Sequence, residues 1–268
     1  VKEVPVELAG RRALVTGANR GLGEQFVEAL LARGVDRVYA GARQSETLAP
    51  LIARHGDRVV PVRLDVTDPA QVRAAAESCQ DADLFVSNAG QACAGPVLAA
   101  ADDTLFRSAF EVNFFGPLAM VQALAPQLRA HRGGVLFVLS LAGLVISRSS
   151  PVYSASKAAA MMLATAVRSE LKGDGVVVTG SFPGFIDTDM TAGVDIPKAP
   201  PRLVADRSLD GWQAERTSVF PDRLAELVEH AVLSDMAAVL GDPHTLMTGI
   251  ISSLRSDAPA DLTGAHGG

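Results

Sequence analysis

The chain has 268 residues and 48% hydrophobic content, enough for one large α/β domain or two small ones with an extensive buried core. Lys plus Arg total 24 against 30 for Asp plus Glu, and the net charge of −6 offers no general attraction to nucleic acid or anionic membranes. Two cysteines, Cys79 and Cys93, are too few for a disulfide framework and lack the CxxC or His-rich spacing of a metal site. The opening VKEVPVELAGRR holds charge and proline instead of the apolar run of a signal peptide, and nowhere do 18 uncharged apolar residues follow one another. A cytoplasmic protein with a small-molecule substrate, and with no nucleic acid, membrane or metal partner, is expected.

In chain order, RALVT (12–16), RVYAGA (37–42), RVVPVRL (58–64), DLFVSN (83–88), GGVLFVLS (133–140) and GVVVTGSF (175–182) read as strands, with helix-prone segments between them. These runs are apolar on both faces, as a sheet covered on each side by helices demands. Repeated βαβ units and a parallel sheet follow, an α/β fold of one domain over 1–254. From Val194 to Ala214 the character changes: DIPKAPPRL predicts a loop and VADRSLDGWQAE a short helix, together a lid or substrate-side insertion at about 190–216. TSVF is then a last strand, PDRLAELVEHAVLSDMAAVL a helix with Pro221 near its first turn, and RSDAPADLTGAHGG (255–268) a disordered tail.

Two short motifs carry chemistry. TGANRGLGEQFVEALL sets Gly17, Gly21 and Gly23 at a strand-to-helix junction, where glycines permit a tight turn and let backbone approach a pyrophosphate seated at the helix N-terminus. SPVYSASKAAAMM places Tyr153 and Lys157 four residues apart, so they share a helical face. A tyrosine near pKa 10 is a poor acid at neutral pH, and the ammonium of Lys157 beside it would lower that value.

The pattern TGxxxGxG followed by YxxxK resembles the short-chain dehydrogenase/reductases, over about residues 10 to 190 and more loosely to the helix after Pro221. The resemblance implies a Rossmann-like, doubly wound parallel sheet with helices on both faces in a three-layer α/β/α arrangement. It also implies a nicotinamide cofactor, with Asn19, Arg20 and Leu22 joining the three glycines at the phosphates. At the end of the second strand Ala42 stands where NAD-preferring relatives carry Asp, and Arg43 where NADP-preferring relatives carry Arg. With Arg20 placed near the same phosphate, two guanidinium forks favour NADP(H); Glu46 nearby keeps NAD(H) as the alternative. By the same resemblance Asp65 and Val66 meet the adenine. Asn88, Ala89 and Gly90 match the family's NNAG element, with Ser87 in place of its first Asn and one sheet hydrogen bond weakened.

The family's catalytic tetrad has counterparts in Asn113, Ser140, Tyr153 and Lys157. Ser140 would hydrogen-bond a carbonyl oxygen and Tyr153 deliver a proton to it. Lys157 would lower the tyrosine pKa and bind the nicotinamide ribose, and Asn113 would hold a water leading to solvent. Leu139 precedes Ser140 where relatives often have a second serine. SFPGFIDTDM matches the PGxIxT segment, with Pro183, Gly184, Ile186 and Thr188 at the nicotinamide end. Leu141, Ala142, Val145, Phe185 and Met190, with the Val194 to Trp212 stretch, are candidate pocket walls. Nearly all are apolar, so a neutral aliphatic or aromatic ketone or aldehyde is the expected substrate. The alternatives are an NAD-linked alcohol dehydrogenase and an NADP-sensing regulator without catalysis. The helices containing Asn113 and Tyr153 are the expected homodimer interface, with a tetramer as the alternative.

Overall fold

The computed structural model describes residues 6–98 and 102–256. Its strands are β1 (Arg12–Thr16), β2 (Arg37–Ala42), β3 (Val59–Arg63), β4 (Leu84–Ser87), β5 (Gly134–Val138), β6 (Val177–Ser181) and β7 (Ser218–Val219). They form one parallel sheet in the order β3-β2-β1-β4-β5-β6-β7, with Leu14 of β1 beside Tyr39 on one side and Phe85 on the other. The order reverses between β1 and β4, so a crevice opens beyond the carboxyl ends of those two strands.

Helices cover both faces. On one, α1 (Gly21–Ala32), α2 (Ala49–His55) and α7 (Pro201–Gln213) bury Phe26, Leu30, Leu51, Leu209 and Trp212 against the sheet. The other carries α3 (Pro69–Ser78), α5 (Gly116–Ala130), α6 (Pro151–Leu171) and α8 (Arg223–Ser234), packed through Val72, Met120, Leu124, Ala164 and Val228. Local chemistry fixes the helix starts. Asp68 caps α3 by accepting from the Ala70 and Gln71 amides at 2.8 and 3.3 Å, with Pro69 at the first position. Between α4 (Thr104–Phe110) and α5, residues Glu111–Phe115 widen into one π turn, a local irregularity frequent at functional sites.

Two stretches differ from the sequence reading. The expected insertion at about 190–216 divides, because α7 packs against α1 on the sheet's far face and not over the crevice. Val204, Ala205, Leu209 and Trp212 are all 0% exposed, an apolar stripe at helical spacing inside an otherwise polar segment. Arg33, following α1, clamps α7 through Asp206 at 2.5 Å and Asp210 at 2.7 Å. Trp212 is therefore core and no pocket wall. The expected single helix over 221–240 breaks at Asp235, whose φ of −150° and ψ of 83° are extended. It is followed by α9 (Met236–Gly241) and α10 (Pro243–Ser256). Arg255 and Ser256, read as the start of a tail, complete α10; the remainder of that tail lies outside the described residues.

Candidate active site

A cavity of about 1760 Å³ occupies the crevice. At its floor the chain leaves β1 through Gly17 at φ +65° and enters α1. A Cβ on Gly23 would lie 2.0 Å from the Gly17 carbonyl oxygen, so only glycine allows the turn and the helix start to cross. The hydroxyl of buried Thr16 accepts from the backbone amides of Asn88 and Ala89, each at 3.0 Å. The Asn88 carboxamide returns a bond to the Thr16 carbonyl at 2.9 Å. The ends of β1 and β4 are thus knitted together with Ser87 in the sequence, and the first residues of α1, which line the cavity, have no side-chain cap, so their amides can seat an anion.

Asn19, Arg20, Gly21 and Leu22 line this end with Arg43, Asp65, Val66, Asn88, Ala89 and Gly90. Arg43 is exposed and has no ion-pair partner among the described residues. Arg20, expected at the same phosphate, instead pairs with Asp189 at 2.7 Å. The sequence could not disclose that contact, since 169 residues separate the two.

At the middle of the cavity, Ser140 follows β5 and caps the 3-10 turn Leu141–Gly143, accepting from the Ala142 amide at 3.1 Å. That turn presses on α6: a Cβ on Gly143 would stand 2.9 Å from the Lys157 carbonyl. The close approach holds Ser140 against the helix that carries Tyr153 and Lys157. Lys157 is 5% exposed, donates to the Val138 carbonyl at 3.0 Å and lies 5.9 Å from the centre of the Tyr153 ring. Burial pulls its pKa down to about 8.

Burial also raises the Tyr153 phenol above its ordinary value, and the hydrogen bond with Ser140 opposes that rise without overcoming it. The expected lowering by Lys157 is thus absent from the protein alone. The ammonium is tethered to a strand carbonyl, and the shift of the phenol is set by its burial and by Ser140.

Asn113 does not line the cavity. It is 2% exposed in the π turn, where its carboxamide accepts from the Gln91 amide and donates to the Gln91 carbonyl, both at 2.9 Å. It also reaches the Ser156 hydroxyl at 2.9 Å. A Cβ on Gly90 would lie 3.4 Å from its Oδ1 and 3.7 Å from the Lys157 ammonium, so both groups close on the same side of Gly90. These bonds make Asn113 a positioning residue for the segment after β4 and leave the expected water-holding role without a side-chain atom at the cavity.

Pro183, Gly184, Phe185, Ile186, Thr188 and Met190 line the opposite wall. The Pro183 carbonyl accepts from the Leu141 amide at 3.1 Å, and the Gly184 amide donates to Asp222 at 2.8 Å. Asp222 also caps α8 by accepting from the Ala225 amide at 2.9 Å; burial raises its pKa. Sequence reading passed over Asp222, although an Asp just ahead of a helix is a capping signal. The next segment doubles back, with Ala199 exchanging backbone bonds with Phe185 and Asp187 at 2.8 and 3.0 Å. Leu141, Ala142 and Val145 complete the central wall. Four further wall residues, Pro243, His244, Met247 and Ile251, come from α10. Their spacing is helical, but only the packing of α10 tells which of its faces meets the cavity.

Among known proteins, a family model described as short chain dehydrogenase matches residues 11–198. A short-chain dehydrogenase of Penicillium crustosum is 38% identical over 184 residues, covering 66% of each chain. A Saccharomyces cerevisiae protein named NADPH-dependent 1-acyldihydroxyacetone phosphate reductase is 34% identical over 193 residues, 69% of this chain and 64% of that one. The matched segment therefore spans about two thirds of the length of these curated relatives. A crystal structure of a short-chain dehydrogenase from Burkholderia cenocepacia in complex with NADP superposes with a TM-score of 0.84 at 38% identity, covering 89% of this chain and 99% of the other.

Proposed function

This chain belongs to the short-chain dehydrogenase family, and from that premise we propose that it reduces a neutral ketone or aldehyde to the alcohol, with NADPH as reductant and Tyr153 as proton donor. The observation that carries the reading is the meeting of Ser140, Tyr153 and buried Lys157 at the centre of one cavity whose far end is an anion seat. NADP(H) fits that end. The crossing of Gly17 and Gly23 admits a pyrophosphate to the backbone, and Arg43, without an ion-pair partner among the described residues, follows Ala42 where an acid would repel a 2′-phosphate. The NADP complex of the Burkholderia structure and the name of the yeast relative support the same choice. When bound, the reduced nicotinamide supplies a hydride to the carbonyl carbon.

The protein's own residues supply the rest. Ser140 accepts one bond from the Ala142 amide, and its hydroxyl hydrogen, engaged with the Tyr153 phenol in the protein alone, turns to the substrate oxygen when that oxygen sits between the two. Tyr153, held above its ordinary pKa by burial, is protonated at neutral pH, the form a proton donor must have. After transfer the Ser140 hydrogen bond favours the phenolate, and Lys157, 5.9 Å from the ring centre, adds to that only when its ammonium leaves the Val138 carbonyl. The apolar wall around Leu141 and Val145 excludes water from the reacting oxygen.

The reading extends to a homodimer through the π turn with α5, and α6, where Phe115 and Met162 are 48% and 61% exposed. Free thiols at Cys79 and Cys93 fit a reducing compartment. Among the described residues no helix is long and apolar enough to cross a membrane.

The test is consumption of NADPH with a panel of neutral ketones and aldehydes, NADH run in parallel. Turnover with NADPH is expected, falling by about 10²–10⁴ in Tyr153→Phe. Equal turnover in that variant would remove Tyr153 from the chemistry.

A further inference from the structure

The family match ends at residue 198, yet one wall of the cavity is made by α10, more than forty residues beyond it. On that helix two adjacent apolar stripes both pack on the hydrophobic core, Leu246, Ile250 and Leu254 at i, i+4 and i+8, and Met247 and Ile251 at i, i+4. The second of them, with His244, also lines the cavity, which the first does not. Since i+3 and i+4 neighbours share a helical face, the first stripe anchors α10 and thereby sets where the second stripe points. The start of the helix is held by Asp242, which accepts from the Thr245 amide at 3.1 Å. Near its end, Arg255 donates to the Asp195 carbonyl at 2.6 Å, tying α10 to the segment that contributes Val194 and Ile196 to the same cavity.

The cavity volume of about 1760 Å³ exceeds the roughly 300–1,000 Å³ usual for one small-molecule site, leaving room for a second molecule beside a dinucleotide. Among the lining side chains away from the glycine turn are Ile146, Met190, Val194, Ile196, Met247 and Ile251, from three separate chain segments, with Arg148, Thr191 and His244 beside them. An aliphatic surface of that extent gains most from a ligand with a large apolar surface.

We propose that α10 is the specificity wall of this protein, with Met247 and Ile251 selecting carbonyl compounds that carry a bulky apolar substituent over small ones. The inference rests on the reductase reading above. It also means that the family match over residues 11–198 carries no information about this wall.

The experiment compares kcat/KM for 2-decalone and cyclohexanone in the wild type, the double variant Met247→Ala/Ile251→Ala, and the filling variant Ile251→Trp. NADPH affinity serves as the folding control. The wild type is expected to prefer 2-decalone, and each variant to reduce that preference by about tenfold or more, the range of a few methylenes in an apolar pocket. A preference unchanged in both variants overturns the wall. Equilibrium dialysis of 2-decalone against the NADP-loaded protein separates the two claims. Absence of turnover of any carbonyl refutes the reductase reading, whereas 2-decalone binding equally to the wild type and both variants refutes the α10 wall.

Discussion

At one end of the cavity the chain crosses itself at Gly17 and Gly23 so closely that a Cβ on Gly23 does not fit, and the side chains of Thr16 and Asn88 bind the backbone of the two strand ends. At the other end the walls are side chains of the 189–196 segment and α10, joined by an exposed arginine contact at Asp195. The first end recognises its ligand with backbone, which tolerates little change in sequence. The second recognises with aliphatic side chains, which can be exchanged one at a time without moving the fold. Tyr153 and Lys157 stand where the two meet, on a helix whose position is set by the sheet.

The largest effect should come from Trp212, which tests whether 201–213 belongs to the core or to the exchangeable end. Trp212→Ala is expected to lower unfolding free energy by about 3–5 kcal/mol in urea titrations, while KM for a carbonyl substrate stays unchanged. A shift in KM with little loss of stability would return that segment to the pocket.

At the junction, the buried ammonium of Lys157 predicts a pH dependence. Its pKa in the folded protein is about 8 against an ordinary 10.5, so between those values the unfolded chain binds more protons and stability rises with pH. Below about 8 the full penalty is present. Compared with Lys157→Met, the wild type should therefore gain up to about 3 kcal/mol between pH 8 and 10.5, measured by denaturation at both ends of that window. A constant difference across it would mean that the ammonium is not desolvated.

Much of this arrangement is legible in the sequence, for identifiable reasons. The parallel sheet follows from strands apolar on both faces, the glycine crossing from three glycines at one junction, and the Tyr153–Lys157 pair from a four-residue interval. What escapes depends on contacts between distant segments. The ion pair of Arg20 with Asp189 is one, and the choice of which α10 stripe also meets the cavity is another, since both stripes pack on the core and only the placement of the helix brings Met247 and Ile251 to the cavity wall. The stripe of α7 was present in the sequence, but a polar average and two prolines ahead of it pointed to a surface insertion. The Asn113 carboxamide bonds to Gln91 and Ser156 arise from a π turn that periodicity does not reveal.

Smaller effects sharpen the description of the cofactor end. Arg43→Ala should weaken NADPH binding about 10- to 100-fold, the range for loss of a charged hydrogen bond, and leave NADH affinity as it was; fluorescence titration with both nucleotides reads this. An equal loss for the two would place Arg43 away from the 2′-phosphate. The least effect is expected at the seam between the halves. Arg20 and Asp189 are both exposed, and such pairs contribute about 0–1 kcal/mol. Asp189→Asn should therefore leave the melting temperature within error, while freeing Arg20 and tightening NADPH binding by at most a few fold.

The most direct measurement supplies NADPH carrying deuterium at the transferable position together with a bulky apolar ketone and follows the product by mass spectrometry. One deuterium on the alcohol carbon, formed by the wild type and lost in Tyr153→Phe, is the predicted result. Tight NADPH binding with no deuterium in any product from a broad carbonyl panel would contradict the reductase reading and leave a nucleotide-binding protein without this chemistry.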